Sequence, residues 1–197
     1  MATRVNENDP RVKRTRQLLV DAFQSLFEER QNFHSISVLE ITERAMVNRA
    51  TFYLHFADKY ALLESSVRGK FQRGLINQFP ASSTLQISTL SQLIESLFDL
   101  LSARYYLEPA DKQIENLFEL ALQEELYALF LRWLKPIAAE ASADVGMIET
   151  TAQIISWAIC GPAVQWSRGD RSVSAKEMTQ RVLRVVIAGL SPIITVT

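Results

Sequence analysis

Two histidines, one cysteine and no glycine-rich run limit what this sequence of 197 residues can do by covalent or metal chemistry. A nucleophile needs a base beside it, a metal needs several spaced ligands, and a phosphate loop needs glycines. His34, His55 and Cys160 form no such pattern, so neither an enzyme, a cofactor nor a metal is expected. Cys160, in Ala158-Ile159-Cys160-Gly161-Pro162, reads as a small buried hydrophobe and His34 as a loop residue. Polar chemistry concentrates instead in Asn48-Arg49-Ala50-Thr51-Phe52-Tyr53-Leu54-His55-Phe56, with Lys59 three residues later. An amide, a guanidinium, a hydroxyl, a phenol, an imidazole and an ammonium so placed suit hydrogen bonding to phosphates and base edges of double-stranded DNA.

A helical wheel sorts these groups. Phe52 and Phe56 share an inward side, while Ala50, Thr51 and Leu54 lie opposite and would face the bases. Tyr53 and His55 flank that face, where each can meet a phosphate at a groove wall. A lone histidine beside aromatics is ordinarily a core or capping residue; inside this motif the phosphate contact is the expectation. Arg49 stands at the N-terminal end of the helix and is long enough for a guanine contact. Leu54 is read either as a thymine-methyl contact or as a tolerated surface leucine.

The elements that must position these residues are marked by caps. Asp9-Pro10 opens a first helix that runs to about Arg30, burying Leu19, Ala22, Phe23 and Leu26. Ser37-Val38-Leu39-Glu40 is a capping box stapled by Ile36 and Ile41, starting a short helix that ends near Ala45. Asn48 then caps a third helix, stapled by Val47 and Phe52, and Asp58 to about Arg73 is a fourth. Two short capped helices joined by a tight turn make a helix-turn-helix, whose second helix enters the major groove. Residues 1–73 carry 12 Lys and Arg against 9 Asp and Glu, and the remainder 9 against 13. Arg11, Lys13, Arg14 and Arg16 supply much of the positive excess, with Lys13 and Arg14 as candidate phosphate contacts; a solvated helix face explains the cluster equally well.

The run from Ile41 through Thr42-Glu43-Arg44-Ala45-Met46-Val47 to Phe56, followed by Lys59 and Leu62-Leu63, resembles the DNA-binding domain of the TetR family. The likeness covers about Lys13 to Leu63 and is carried above all by Thr51-Phe52-Tyr53-Leu54-His55-Phe56 with Lys59. It implies a DNA-binding role for Ser37, Asn48, Thr51, Tyr53, His55 and Lys59, with Thr42 supporting from the second helix. Lys59 would stand in the first turn of the fourth helix, where free N–H groups and the helix dipole favour a phosphate. Met46 replaces the family's usual turn glycine, so either the turn avoids positive φ or Met46 is strained there.

Beyond Phe79-Pro80-Ala81-Ser82-Ser83 the spacing predicts helices near 85–107, 110–121, 123–142, 145–168 and 174–190, the last opened by a capping box from Ser174 to Glu177. The expected fold class is therefore all-α: an N-terminal three-helix helix-turn-helix DNA-binding domain, 1–67, and a larger α-helical ligand-binding and dimerisation domain, 68–197. Phe98, Tyr105, Phe118, Tyr127, Phe130 and Trp133 are candidates to line a cavity for a small, mostly apolar effector of the kind the resemblance implies, although core packing explains them as well. A homodimer is expected from the last two long helices, with Ile155, Ile159 and Trp166 on one and Met178, Val182 and Val185 on the other. With 48% hydrophobic and 22% charged residues the chain falls among ordinary globular proteins. No secretory signal or membrane span is read from it, and a cytoplasmic location is expected. The leading function is a ligand-released repressor on a palindromic operator. A TetR-like DNA-binding protein without inducer or promoter, acting on cell division or chromosome organisation, is the alternative.

Overall fold

A computed structural model describes residues 9–104, 111–141 and 144–190. Among them are eight helices and no strand: α1 Pro10–Arg30, α2 Val38–Arg44, α3 Arg49–His55, α4 Lys59–Gln78, α5 Ile87–Arg104, α6 Lys112–Ala141, α7 Val145–Arg168 and α8 Ala175–Leu190. The chain divides into two compact units, Met1–Lys70 with Leu107–Ile114, and Phe71–Tyr106 with Glu115–Thr197. The division falls within α4.

The first unit is built from its caps outward. The Asp9 carboxylate accepts from the Arg11 N–H at 2.8 Å, and Pro10 takes the first helical position. Both halves of the predicted capping box form at α2, Ser37 Oγ accepting from the Glu40 N–H and Glu40 Oε2 from the Ser37 N–H. Leu19, Phe23 and Leu26 of α1 pack with Phe33, Ile36, Ile41, Phe52 and Phe56 in the interior. Charge pairs then fix α1 against α2: Arg44 reaches Glu29 at 2.7 Å, and Arg30 reaches Glu40 at 2.5 Å.

α2 ends in a Schellman motif. The Met46 N–H donates to the Glu43 carbonyl at 3.1 Å and the Val47 N–H to the Thr42 carbonyl at 3.0 Å. That motif requires a left-handed residue at its penultimate position, and Met46 takes it with φ 54°. Of the two alternatives for this turn, the strained methionine is the one realised.

In the second unit α5, α7 and α8 pack on one another, and α6 adds Leu122, Leu126, Leu129, Phe130, Trp133 and Leu134 to the same apolar core. The helices expected at 110–121 and 123–142 are one helix, α6. Ala121, Leu122 and Gln123 at the expected break are all buried and include no cap or breaker, so nothing interrupts the hydrogen-bond ladder. Only half of the expected capping box forms at α8: the Glu177 N–H donates to Ser174 Oγ, but the Glu177 carboxylate pairs with Arg181 at 2.6 Å.

The residues expected at a dimer interface are distributed differently. Ile155, Ile159 and Val182 are buried inside their own chain, in the apolar core of the second unit. Trp166 is half-buried, its Nε1 donating to the Val173 carbonyl at 2.7 Å and its ring edge-on to Phe98. Met178 packs on the same core, and Val185 alone of the six is exposed. The outward stripe of α7 is instead Met147, Ile154 and Trp157. Among the described residues no helix is long and apolar enough to cross a membrane.

Candidate nucleic-acid interface

Seven residues make α3, and Phe52 is its one buried side chain. Asn48 starts the helix by accepting from the Ala50 N–H through Oδ1 at 2.8 Å, which leaves its amide N–H groups as donors. Arg49, Ala50, Tyr53 and Leu54 are exposed and Thr51 is half-buried, so the helix presents a polar and apolar outer face of the kind that reads base edges. Leu54 is 63% exposed. Arg49 lies over the Tyr53 ring at 5.8 Å and donates to the phenol oxygen at 3.3 Å, pairing two groups one helical turn apart.

Lys13 and Arg14 are exposed on α1. Arg16, from the same basic cluster, is used differently. Its guanidinium donates to the His55 carbonyl at 3.1 Å and to Ser65 Oγ at 3.2 Å, and stacks on the Phe56 ring at 4.4 Å. It thereby satisfies a carbonyl of the last turn of α3, where backbone acceptors lack helical partners. The spacing carried a signal for this: Arg16 precedes the buried Leu19 and Val20 by three and four residues, which puts it at the edge of the packed face of α1, although it is itself exposed.

His55 is half-buried, and burial followed by the nearby Arg16 charge lowers its pKa below the ordinary histidine value. At neutral pH it is therefore a neutral imidazole, able to donate one hydrogen bond to a phosphate but adding no charge.

Three expected DNA contacts have other occupations. Thr42 is buried, and its hydroxyl donates to the Leu39 carbonyl at 2.8 Å, inside the turn rather than on the surface. Ser37 is exposed, but its hydroxyl and its N–H both donate to Glu40 Oε2, at 2.7 and 2.9 Å. Lys59 folds back so that Nζ donates to the carbonyls of Phe33 and Ile36, at 2.8 and 2.6 Å. The first turn of α4, where a phosphate would sit, is capped by the Asp58 carboxylate accepting from the Ala61 N–H at 2.8 Å. Glu40, bonded by Arg30 and by Ser37, has its pKa lowered to about 2.

In the second unit Phe98, Phe130 and Trp133 are buried in the core, while Phe118 and Tyr127 are half-buried; Tyr105 lies outside the described residues. Trp133 stands edge-on to both Phe79 and Phe130, and its Nε1 donates to Ser83 Oγ at 3.2 Å. Cys160 is buried, and burial pushes its thiol up to about 12. Among the described residues no group of three or more His, Cys, Asp or Glu is gathered to hold a metal ion.

Comparison with known proteins places the geometry in context. Residues 19–65 match the family described as "Bacterial regulatory proteins, tetR family". Over 95 residues, 48% of this chain, the sequence is 34% identical to YxbF of Bacillus subtilis (strain 168), named an uncharacterized HTH-type transcriptional regulator; the matched stretch spans 25% of that protein. The fold is similar to that of Thermus thermophilus FadR, a TetR-family transcriptional repressor solved in complex with lauroyl-CoA, at 23% identity and a TM-score of 0.56, covering 89% of this chain and 94% of that one. It is also similar to the Bacillus subtilis transcriptional regulator FadR in complex with stearoyl-CoA, at 17% identity and a TM-score of 0.52, covering 88% of this chain and 98% of that one. At these identities the structures share with this chain its fold, an N-terminal helix-turn-helix followed by a helical domain.

Proposed function

We propose that this chain is a TetR-family transcriptional regulator, a repressor which binds a palindromic operator as a homodimer and is released by a small ligand, a reading supported by the family match over residues 19–65 and by the likeness to YxbF. Residues 1–67 carry the DNA contact, and 68–197 carry dimerisation and the ligand. The observation behind the first assignment is the outer face of α3, where Arg49, Ala50, Tyr53 and Leu54 stand exposed while Phe52 anchors the helix. Arg49 and Thr51 read bases; Asn48, Tyr53, His55, Lys13 and Arg14 meet phosphates.

A dimer presents two such helices to two half-sites on one face of the duplex. Its surface in this reading is the outward stripe of α7, Met147, Ile154 and Trp157, with Val185 of α8. The effector is mostly apolar and is lined by Phe98, Phe118, Tyr127, Phe130 and Trp133; Tyr105, expected with them, lies outside the described residues. It acts by binding one dimer arrangement better than the other, so DNA must weaken the ligand by the factor by which the ligand weakens DNA.

Selection of duplexes from a random library tests the DNA assignment. The recovered sites should contain inverted half-sites, and binding should weaken steeply with salt. Arg49→Ala should lose preference at one position in each half-site, by about 1–3 kcal/mol, whereas Lys13→Ala with Arg14→Ala should weaken all duplexes alike. Failure to enrich any sequence, or unchanged preference in Arg49→Ala, sinks the role given to α3.

A further inference from the structure

We infer that the centre of α3 reads the operator by an apolar contact, in which Leu54 packs on the 5-methyl group of a thymine. The assignment rests on the DNA-binding reading of α3. Phe52 is the buried anchor of this helix. At about 100° of turn per residue, Ala50 and Leu54 fall within about 20° of the direction opposite Phe52. The groups able to form hydrogen bonds stand to the sides, Arg49 and Tyr53 on one flank and Thr51 and His55 on the other. Arg49 is held on its flank by the Tyr53 phenol, at 3.3 Å. The ridge that projects furthest from the anchor is therefore apolar: Ala50 is exposed, and Leu54 is 63% exposed.

Base chemistry selects the occupant. Of the groups that base pairs turn to the major groove, the thymine 5-methyl is the apolar one, and the rest are donors and acceptors. Leucine has neither donor nor acceptor, so against guanine, adenine or cytosine it would strip water from a polar edge and return nothing. Against a thymine methyl it buries apolar surface on both sides. A helical leucine leans back over the residue four before it, and Ala50 is too short to hold the helix off the base pairs. Exposed Arg49 puts a guanidinium beside this ridge, a border that matches a polyanionic duplex and not an apolar protein surface.

Deoxyuridine tests this contact without altering the protein, because it keeps the pairing and the hydrogen-bonding edge of thymidine and lacks only the methyl. Full-length protein and Leu54→Ala are titrated with the selected operator, with versions carrying deoxyuridine at each thymine in turn in both half-sites, and with a random duplex. At one thymine in each half-site, loss of the methyl should weaken the unsubstituted protein about fourfold per half-site, the worth of one buried methyl. At the same position 5-methyldeoxycytidine should bind about fourfold better than deoxycytidine, since it adds the methyl alone. Leu54→Ala should bind the thymine and deoxyuridine operators alike and hold the random duplex as the unsubstituted protein does. Should Leu54→Ala not fold, Leu54→Gln serves in its place. Indifference to deoxyuridine at every thymine, or a selected site with no thymine in its half-sites, overturns the inference and leaves the DNA-binding reading of α3 standing. Undiminished sensitivity in Leu54→Ala also overturns it, by giving the methyl to another side chain. A Leu54→Ala protein that binds every duplex unchanged but differs in mass by light scattering overturns it in favour of a protein partner. If the unsubstituted protein enriches no sequence at all, the reading of α3 falls, and the Leu54 assignment with it.

Discussion

Met46 holds a left-handed φ of 54° while its side chain is 91% exposed, so it bears the strain of the α2–α3 turn and gains almost no burial in return. The Schellman hydrogen bonds at Glu43 and Thr42 demand that conformation whatever residue is present. Met46→Gly should therefore stabilise the protein by about 1 kcal/mol, because relief of the Cβ clash exceeds the entropy that glycine adds to the unfolded chain. Thermal unfolding followed by circular dichroism would register a rise of a few degrees. A fall in the midpoint would mean that the methionine side chain does contribute packing. The sequence alone left this position with two readings, since a turn glycine is a preference of the backbone and not of the side chain. The positions of Lys59, Ser37 and Thr42 were illegible for a different reason. A lysine, a serine or a threonine in a DNA-binding motif is a donor in either role, and only the three-dimensional course of the chain decides whether a carbonyl, a carboxylate or water is nearest.

At the scale of elements, α2 depends on charges at both its ends. Glu40 accepts from the Ser37 N–H and hydroxyl and pairs with Arg30, which holds its pKa at about 2 against an ordinary value of 4.5. A carboxylate whose folded pKa is depressed contributes stability that is fully present above the unfolded value and is lost as pH falls through the folded one. Acid should accordingly weaken the fold between pH 4.5 and about 2, and Glu40→Gln, which can cap but cannot ionise, should flatten that limb. Melting temperatures measured across the window check this; parallel curves for the two proteins would show that the network adds no pH dependence. The caps that start α1, α2 and α3 were legible because each is a local contest between a short polar side chain and the first free N–H groups. The continuity of α6 was not, because Ala121-Leu122-Gln123 has no local signal for or against a break and is held helical by burial on the core.

For the whole molecule, the same apolar pattern on α7 and α8 had two possible destinations, the interior of one chain or a partner's surface, and periodicity cannot tell them apart. The structure sends Ile155, Ile159 and Val182 inward and leaves Met147, Ile154, Trp157 and Val185 outward, with Ile154 and Val185 61% and 66% exposed. Met147, Ile154 and Gly161 recur every seven residues along α7, and a Cβ placed on Gly161 would meet nothing within 4 Å, so a partner helix can approach closely there. In the proposed homodimer this outward stripe is the surface that the second copy covers. Light scattering and circular dichroism on two pairs of variants separate the possibilities. Ile154→Asp and Val185→Asp should give folded monomers that lose operator affinity, since two recognition helices are no longer joined. Ile159→Asp and Val182→Asp should instead unfold the second unit, because a carboxylate without a partner in that core costs several kcal/mol, comparable with the whole stability of a domain. Dimers persisting in both Ile154→Asp and Val185→Asp would place the interface on another face, whereas folded monomers from Ile159→Asp would mean that α7 turns the opposite side to its partner.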